Sequence, residues 1–152
     1  MKSVCFQRLQ SGLYYGILIG VTFLADSFTC LCLAQVGGIF DDFDPDINAT
    51  SWSSNTGTSD ANCGAVSGNA LYFNGSLREA VTVPINTTNG GLIRFHLKIG
   101  TGSSPCENAD AGEDVRLDYS LNNGSTWINL AVYNVDAYPN FTLINLPIPP
   151  AA

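Results

Sequence analysis

Acidic side chains are the groups in this 152-residue sequence best suited to chemistry, and most of them lie in two short segments. The first segment holds Asp41, Asp42, Asp44 and Asp46, and the second holds Glu107, Asp110, Glu113 and Asp114. Carboxylate oxygens are the ligands that Ca²⁺ prefers, but the first segment is not an EF-hand loop, because Ile47 takes its glycine position and Ser53 its glutamate position. Two interpretations stay open: solvated acidic loops, or a calcium site assembled from both segments, with the candidate ligands Asp42, Asp44, Glu113 and Asp114.

The single histidine, His96, lies between Arg94 and Lys98 on the polar side of a predicted strand. This position favours a solvent-facing side chain over a general base or a metal ligand. No nucleophile-elbow pattern accompanies it, and a zinc site needs several cysteine or histidine ligands. We therefore predict no catalytic residues and a protein that is not an enzyme.

Four aromatic residues suggest an alternative function, a carbohydrate-binding module of the jelly-roll type. Their rings could stack against sugars, although large aromatic side chains more often serve burial in a core or at an edge. The four are Trp52, Tyr72, Tyr133 and Tyr138.

The first 34 residues have the pattern of a secretory signal peptide. Lys2 and Arg8 supply positive charge, residues 13–24 form an apolar run, and Ala34 ends a cleavage site of small residues. We predict cleavage after Ala34 and a folded domain over residues 38–150. An uncleaved membrane anchor is disfavoured, because the run is shorter than the roughly 20 residues of a spanning helix and Asp26 would be costly in lipid.

The cysteines and the glycosylation sequons agree with an extracellular location. Three of the five cysteines lie in the predicted signal peptide, which leaves Cys63 and Cys106 to pair in an oxidising compartment, with two buried thiols as the alternative. Five asparagines begin Asn-X-Ser/Thr sequons for glycosylation: Asn48, Asn74, Asn86, Asn123 and Asn140.

The charge balance argues against nucleic acid and anionic membranes as partners. Once the predicted signal peptide is removed, four basic side chains stand against twelve acidic ones. Binding to phosphate backbones or anionic lipids depends on clusters of lysine and arginine.

Alternating apolar and polar residues predict short antiparallel strands. Ile93, Phe95, Leu97 and Ile99 share one face of a strand over residues 92–99, and residues 115–120 alternate in the same way. Asn123-Gly124 predicts a tight turn to a returning strand over residues 127–133. Weaker strands are expected at residues 70–73, 79–83 and 141–146, so the pattern predicts an all-β sandwich or jelly roll.

A series of ordered motifs between Phe40 and Pro147 is more specific than composition. It comprises Phe40-Asp41-Asp42-Phe43-Asp44, Trp52, Asn62-Cys63-Gly64, Gly68-Asn69-Ala70-Leu71-Tyr72-Phe73, the segments 78–82 and 95–100, Cys106, and residues 115–127. This series resembles a subrepeat of the reelin family.

The resemblance implies a jelly-roll β-sandwich, a disulfide between Cys63 and Cys106, and a structural calcium ion. It also implies a secreted extracellular matrix glycoprotein that makes protein contacts in cell adhesion and signalling during neuronal development and migration. Members of the lipoprotein-receptor family are the implied partners, through a larger reelin-like chain. Relatives continue past the position of Pro147, so the resemblance implies a partial form whose sandwich lacks its last strands and has an open sheet edge.

Residues 120–127 are similar to the Asp-box of sialidases, reelin and other β proteins. The box positions are Ser120, Asn122, Gly124, Thr126 and Trp127, with Asn122 where aspartate is usual. A polar side chain at position 122 is expected to bond backbone donors across the turn, so we interpret the box as structural. A sialidase propeller would need several blades and several boxes.

Overall fold

The computed structural model describes residues 38–74, 77–100, 102–148 and 150, and the predicted signal peptide lies outside them. These residues form eight β-strands and contain no helix that could cross a membrane. In chain order the strands are β1 (Trp52–Asn55), β2 (Thr58–Asp60), β3 (Ala70–Tyr72), β4 (Ala80–Thr82), β5 (Gly91–Leu97), β6 (Val115–Tyr119), β7 (Ile128–Tyr133) and β8 (Thr142–Ile148).

The strands pair antiparallel in two nested sets. In the first set β2 pairs with β3, and β1 pairs with β4. In the second set β6 pairs with β7, and β5 pairs with β8. The expected all-β antiparallel sandwich is confirmed, although its strands form four two-stranded sheets among the described residues rather than two continuous ones.

The alternation of buried and exposed side chains explains why β5 is extended. Ile93 and Leu97 are buried, whereas Arg94 and His96 are exposed, so the side chains alternate between the interior and the solvent. Such a period of two fits a strand with one buried face. The alternation predicted for residues 92–99 is therefore confirmed, with the ladder itself ending at Leu97.

The larger core lies between the β5–β8 and β6–β7 sheets. Its buried members are Ile93, Leu97, Ile99, Val115, Leu117 and Tyr133. Partly buried residues of β8, such as Ile144 and Leu146, pack against them. The two sheets thus bury their apolar faces against each other, which defines a sandwich.

A smaller core joins the first nested set to the segment that precedes it. Its buried members are Trp52, Leu71, Phe73 and Ala80, and Phe43 and Ile47 pack against them. The Asp41 carboxylate accepts hydrogen bonds from the Trp52 indole Nε1 (2.6 Å) and from the backbone N–H groups of Phe43 (2.9 Å) and Asn48 (3.0 Å). These bonds fix residues 41–48 against the sandwich.

Strands β1 and β2 were not predicted, because their short polar sequences WSSN and TSD show no apolar alternation. Their pairing with β4 and β3 supplies the extended conformation. The connection between β6 and β7 also differs from the two-residue turn that was expected. It spans residues 120–127, although Asn123 (φ 53°) and Gly124 (φ 81°) adopt the left-handed backbone that the motif predicts.

Tyr133 is a buried tyrosine whose hydroxyl group has no hydrogen-bond partner among the described residues. Its ring meets Phe95 and Tyr138 edge to face, at centroid distances of 5.8 and 5.5 Å. Burial raises the pKa of Tyr133 above its usual value, and the neighbouring Tyr138 raises it further. The folded state therefore favours the neutral phenol.

We predict that Tyr133→Phe increases the free energy of unfolding by about 1 kcal/mol at pH 7, because it removes a buried hydroxyl that lacks a partner. Tyr72→Phe is the matched contrast, since Tyr72 is a comparably buried residue whose hydroxyl donates a hydrogen bond to the Pro105 carbonyl (2.8 Å). Tyr72→Phe should lower the free energy of unfolding by about 1 kcal/mol. Urea unfolding measures both changes.

The raised pKa of Tyr133 also predicts how stability depends on pH. The stability contribution of a raised tyrosine pKa is fully present below the unfolded value of about 10 and is lost as the pH rises through the folded value. Above about pH 10 the wild type should therefore lose stability that Tyr133→Phe keeps. The difference in unfolding free energy between the two proteins should grow accordingly. A Tyr133→Phe variant less stable than the wild type at pH 7 would contradict this account.

Candidate functional site

A disulfide between Cys63 and Cys106 joins the loop after β2 to the loop between β5 and β6. The two cysteines are 43 positions apart, so the bond connects the first nested set of strands to the second. In the chain-entropy model, closing a loop of this size stabilises the folded state by about 4 kcal/mol.

Other contacts hold the same two loops together. The Lys98 ammonium donates a hydrogen bond to the Cys63 carbonyl (2.7 Å) and lies 5.7 Å from the centre of the Phe141 ring. Within the second loop, a side chain at Gly100 would collide with the backbone carbonyl of Glu107, so glycine allows this loop to fold back on itself. Lys98 therefore serves the packing around the disulfide.

Side-chain hydrogen bonds shape the turn at residues 120–127. The Asn122 Oδ1 accepts from the Thr126 backbone N–H (2.8 Å), and its Nδ2 donates to the Thr126 hydroxyl oxygen (2.9 Å). The fully buried Ser120 hydroxyl accepts from the backbone N–H of Gly124 (2.8 Å) and of Asn122 (3.2 Å). Trp127, half-buried, leads into β7. These bonds satisfy backbone donors that a wide loop would otherwise expose.

The first pair of candidate calcium ligands lies at the surface before β1. Asp42 and Asp44 are exposed, and an Asp42 oxygen accepts a long hydrogen bond from the Asp44 backbone N–H (3.4 Å). The Asp44 carboxylate lies against Gly68.

The second pair makes separate local contacts. Glu113 forms an ion pair with Arg78 (3.4 Å) and accepts from the Asp110 backbone N–H (2.7 Å). Asp114 accepts from the Val135 backbone N–H (2.9 Å). Among the described residues no three His, Cys, Asp or Glu side chains form a group that could hold a metal ion. The four carboxylates thus do not form one ligand set, and calcium stays a prediction.

All five sequon asparagines are exposed: Asn48, Asn74, Asn86, Asn123 and Asn140. Gly75 and Ser76 of the second sequon lie outside the described residues. At the first sequon, the side-chain Oδ1 of Asn48 accepts hydrogen bonds from both the hydroxyl (2.7 Å) and the backbone N–H (3.1 Å) of Thr50. Each asparagine is therefore accessible to a glycan.

The aromatic residues weighed as a sugar platform are mostly interior. Trp52, Tyr72 and Tyr133 are only 8%, 6% and 7% exposed, and Tyr138 is half-buried. Rings at this depth cannot offer a face to a sugar, so packing is their observed role. His96 is exposed on β5, and its side chain has no hydrogen bond or ion pair to another described residue.

An open groove of about 600 Å³ lies between the outward face of β5, the start of β8 and the segments around Phe40 and Val66. Four exposed apolar side chains line it: Phe40, Val66, Leu92 and Leu143. Arg94 and His96 line it from β5. Sequence reasoning did not find this groove, because five separate segments of the chain line it. One signal was available, since Leu92 is an apolar residue on the same side of the strand as Arg94 and His96.

The model of the family described as Reelin subrepeat B matches residues 56–152, almost two thirds of the chain. This chain belongs to the reelin subrepeat B family. No solved structure matches it. The predicted reelin resemblance is confirmed, and the chain is a reelin-type extracellular module.

The matched range of the reelin subrepeat contains β2 to β8, the disulfide and the 120–127 turn. Strand β1 and the preceding segment with Asp41 lie before it. Trp52 belongs to the smaller core, and the Ser59 hydroxyl donates to the carbonyls of Phe43 and Pro45. Residues 41–55 are therefore packed as part of the same sandwich.

We predict that Asn122→Ala lowers the free energy of unfolding of the reelin subrepeat by about 1–2 kcal/mol, because the Thr126 N–H and hydroxyl lose their partner. Asn122→Asp should lose less than half as much, since an acidic oxygen still accepts from the Thr126 N–H. Asn145→Ala, at an exposed position of β8, is the matched control and should change stability little. If urea unfolding shows equal losses of unfolding free energy in Asn122→Ala and Asn145→Ala, the Asn122 hydrogen bonds do not stabilise the fold.

Proposed function

We propose that this chain is a secreted, non-catalytic module of the extracellular matrix that provides surfaces for protein contacts in a reelin-like protein. The contacts serve cell adhesion and signalling during neuronal development and migration. The observation that carries the proposal is the family match over residues 56–152. Reelin-type modules are generally non-catalytic, which agrees with the solvent-facing position of His96.

Secretion is supported by features that need an oxidising, glycosylating compartment. The disulfide joins the two nested sets of strands, and all five sequon asparagines are accessible. The predicted signal peptide at residues 1–34 accounts for entry into that compartment.

The proposed partners are extracellular proteins, with lipoprotein-receptor family members contacted through a larger reelin-like chain. The acidic balance of the sequence argues against nucleic acid. A carbohydrate-binding module remains the competing function, but the burial of Trp52, Tyr72 and Tyr133 argues against it.

Expression in a secretory host tests the proposal. We expect a secreted product that starts after Ala34, carries glycans, and reacts with a thiol-alkylating reagent only after reduction, as intact mass measurement will show. The purified product should bind neuronal surfaces saturably, and binding should disappear when surface proteins are digested with protease.

Two results would count against this function. Retention in the cell with both thiols free would remove the extracellular assignment. Binding that survives protease digestion but is lost after enzymatic removal of cell-surface glycans, together with specific signals on a glycan array, would favour the carbohydrate-binding module.

Calcium as a structural ion is a separate part of the proposal. It is supported by the density of carboxylates in two loops, with backbone carbonyls and water able to complete the coordination shell. We expect saturable heat in a calorimetric titration and a rise in melting temperature with Ca²⁺ but not Mg²⁺, because a ligand that binds only the folded state stabilises it. Asp114→Asn should weaken the effect, whereas Asp136→Asn, outside both acidic segments, should not. No heat and no thermal shift would end the idea.

A further inference from the structure

The groove at β5 concentrates apolar surface that water contacts. Phe40, Leu92, Val66 and Leu143 are 80%, 60%, 59% and 42% exposed, and they are half of the eight large apolar side chains exposed among the described residues. Contiguous apolar surface rimmed by polar groups marks a contact site more often than scattered apolar residues do.

Arg94 gives the groove an uncommitted positive charge. Each of the other three basic side chains described already has a partner: Arg78 pairs with Glu113, Arg116 lies 3.7 Å from Asp118, and Lys98 bonds the Cys63 carbonyl. The Arg94 side chain has no hydrogen bond or ion pair with any described residue. On a strongly acidic chain, this side chain selects an occupant that carries a carboxylate.

Acidic residues also line the groove. They are Asp41 and Asp42, and the Asp41 oxygens are engaged with Trp52 and two backbone N–H groups. Asp42 is exposed. An acidic group on the occupant is therefore attracted by Arg94 and repelled by Asp42, so Arg94 is its expected position.

The spacing along the sheet fits an extended peptide. Leu92, Arg94 and His96 point outward at alternate positions of β5, about 7 Å apart, as side chains do on one face of an extended strand. Across the ladder, Leu92 pairs with Pro147 and His96 pairs with Leu143. Along the outward face, the cation Arg94 therefore lies between apolar Leu92 on one side and apolar Leu143 on the other. Apolar contacts on both sides of a single cation suit the alternate side chains of an extended peptide.

We propose that this groove binds an extended segment of an extracellular partner protein in which an acidic residue is flanked, two positions away on each side, by a large apolar residue. The acidic residue pairs with Arg94, and the apolar residues contact Leu92 and Leu143. The inference rests on the proposed function as a contact module, and it names the partner chemistry.

Selection from a phage-displayed random dodecapeptide library on the immobilised secreted chain tests the proposal. We expect enrichment of peptides with the apolar-x-acidic-x-apolar pattern. A synthetic consensus peptide should bind about tenfold more weakly to Arg94→Gln, because a charge-assisted hydrogen bond is lost. Arg116→Gln removes an exposed arginine from β6 and is the matched control, with affinity unchanged.

A charge exchange checks the pairing directly. Arg94→Glu should lose the acidic peptide and gain a peptide whose acidic residue is replaced by lysine. Leu143→Asn should weaken both peptides, and far-ultraviolet circular dichroism verifies that each variant is folded.

Several outcomes would overturn the proposal. They are the absence of enrichment, enriched peptides without an acidic residue, and equal binding by Arg94→Gln and the wild type. A dimer in analytical ultracentrifugation that Leu143→Asn dissolves would assign the groove to a second copy of this chain, and Arg94-dependent binding of acidic glycans would assign it to sugars. If peptide selection fails while the secreted chain still binds neuronal surfaces, only this inference falls and the proposed function stands.

Discussion

The two faces of β5 are the constraint on which the rest of the structure depends. Because side chains alternate along a strand, Ile93 and Leu97 can complete the larger core only if Arg94 and His96 face outward. A shift of one residue in the pairing with β8 would exchange these faces, placing charge in the core and apolar groups in solvent. One register therefore determines both the stability of the sandwich and the character of its groove.

The loop that follows β5 holds the two nested sets of strands together. The disulfide, the hydrogen bond from Lys98 to the Cys63 carbonyl and the hydrogen bond from Tyr72 to the Pro105 carbonyl all lie there. The ion pair between Arg78 and Glu113, at the end of the same loop, adds a further link between the sets. None of these contacts belongs to a sheet, so the assembly of four small sheets depends on loop chemistry as much as on strand pairing.

Local patterns predicted most of the fold, and contacts between distant residues account for the rest. Strands β3 to β8 were predicted from apolar alternation and turn residues, and the bonds of the Asn122 side chain agree with the turn chemistry expected from residues 120–127. Strands β1 and β2 were missed because their partners, not their own polar residues, make them extended. The groove was missed for a related reason, since a sequence does not reveal that Phe40, Val66 and Leu143 lie near one another. The candidate calcium ligands show the same limit, because carboxylate density does not specify which carboxylates share a site.

The position of the disulfide also affects how the module responds to mechanical tension. When the two ends of the module are pulled apart, a covalent bond between residues 43 positions apart keeps the intervening chain out of the path of the force. At about 3.5 Å per extended residue, roughly 150 Å of chain cannot lengthen while the bond is intact. Since the sequestered segment contains β3, β4 and β5, stretching would peel away the outer strands and leave the strands inside the covalent loop unextended.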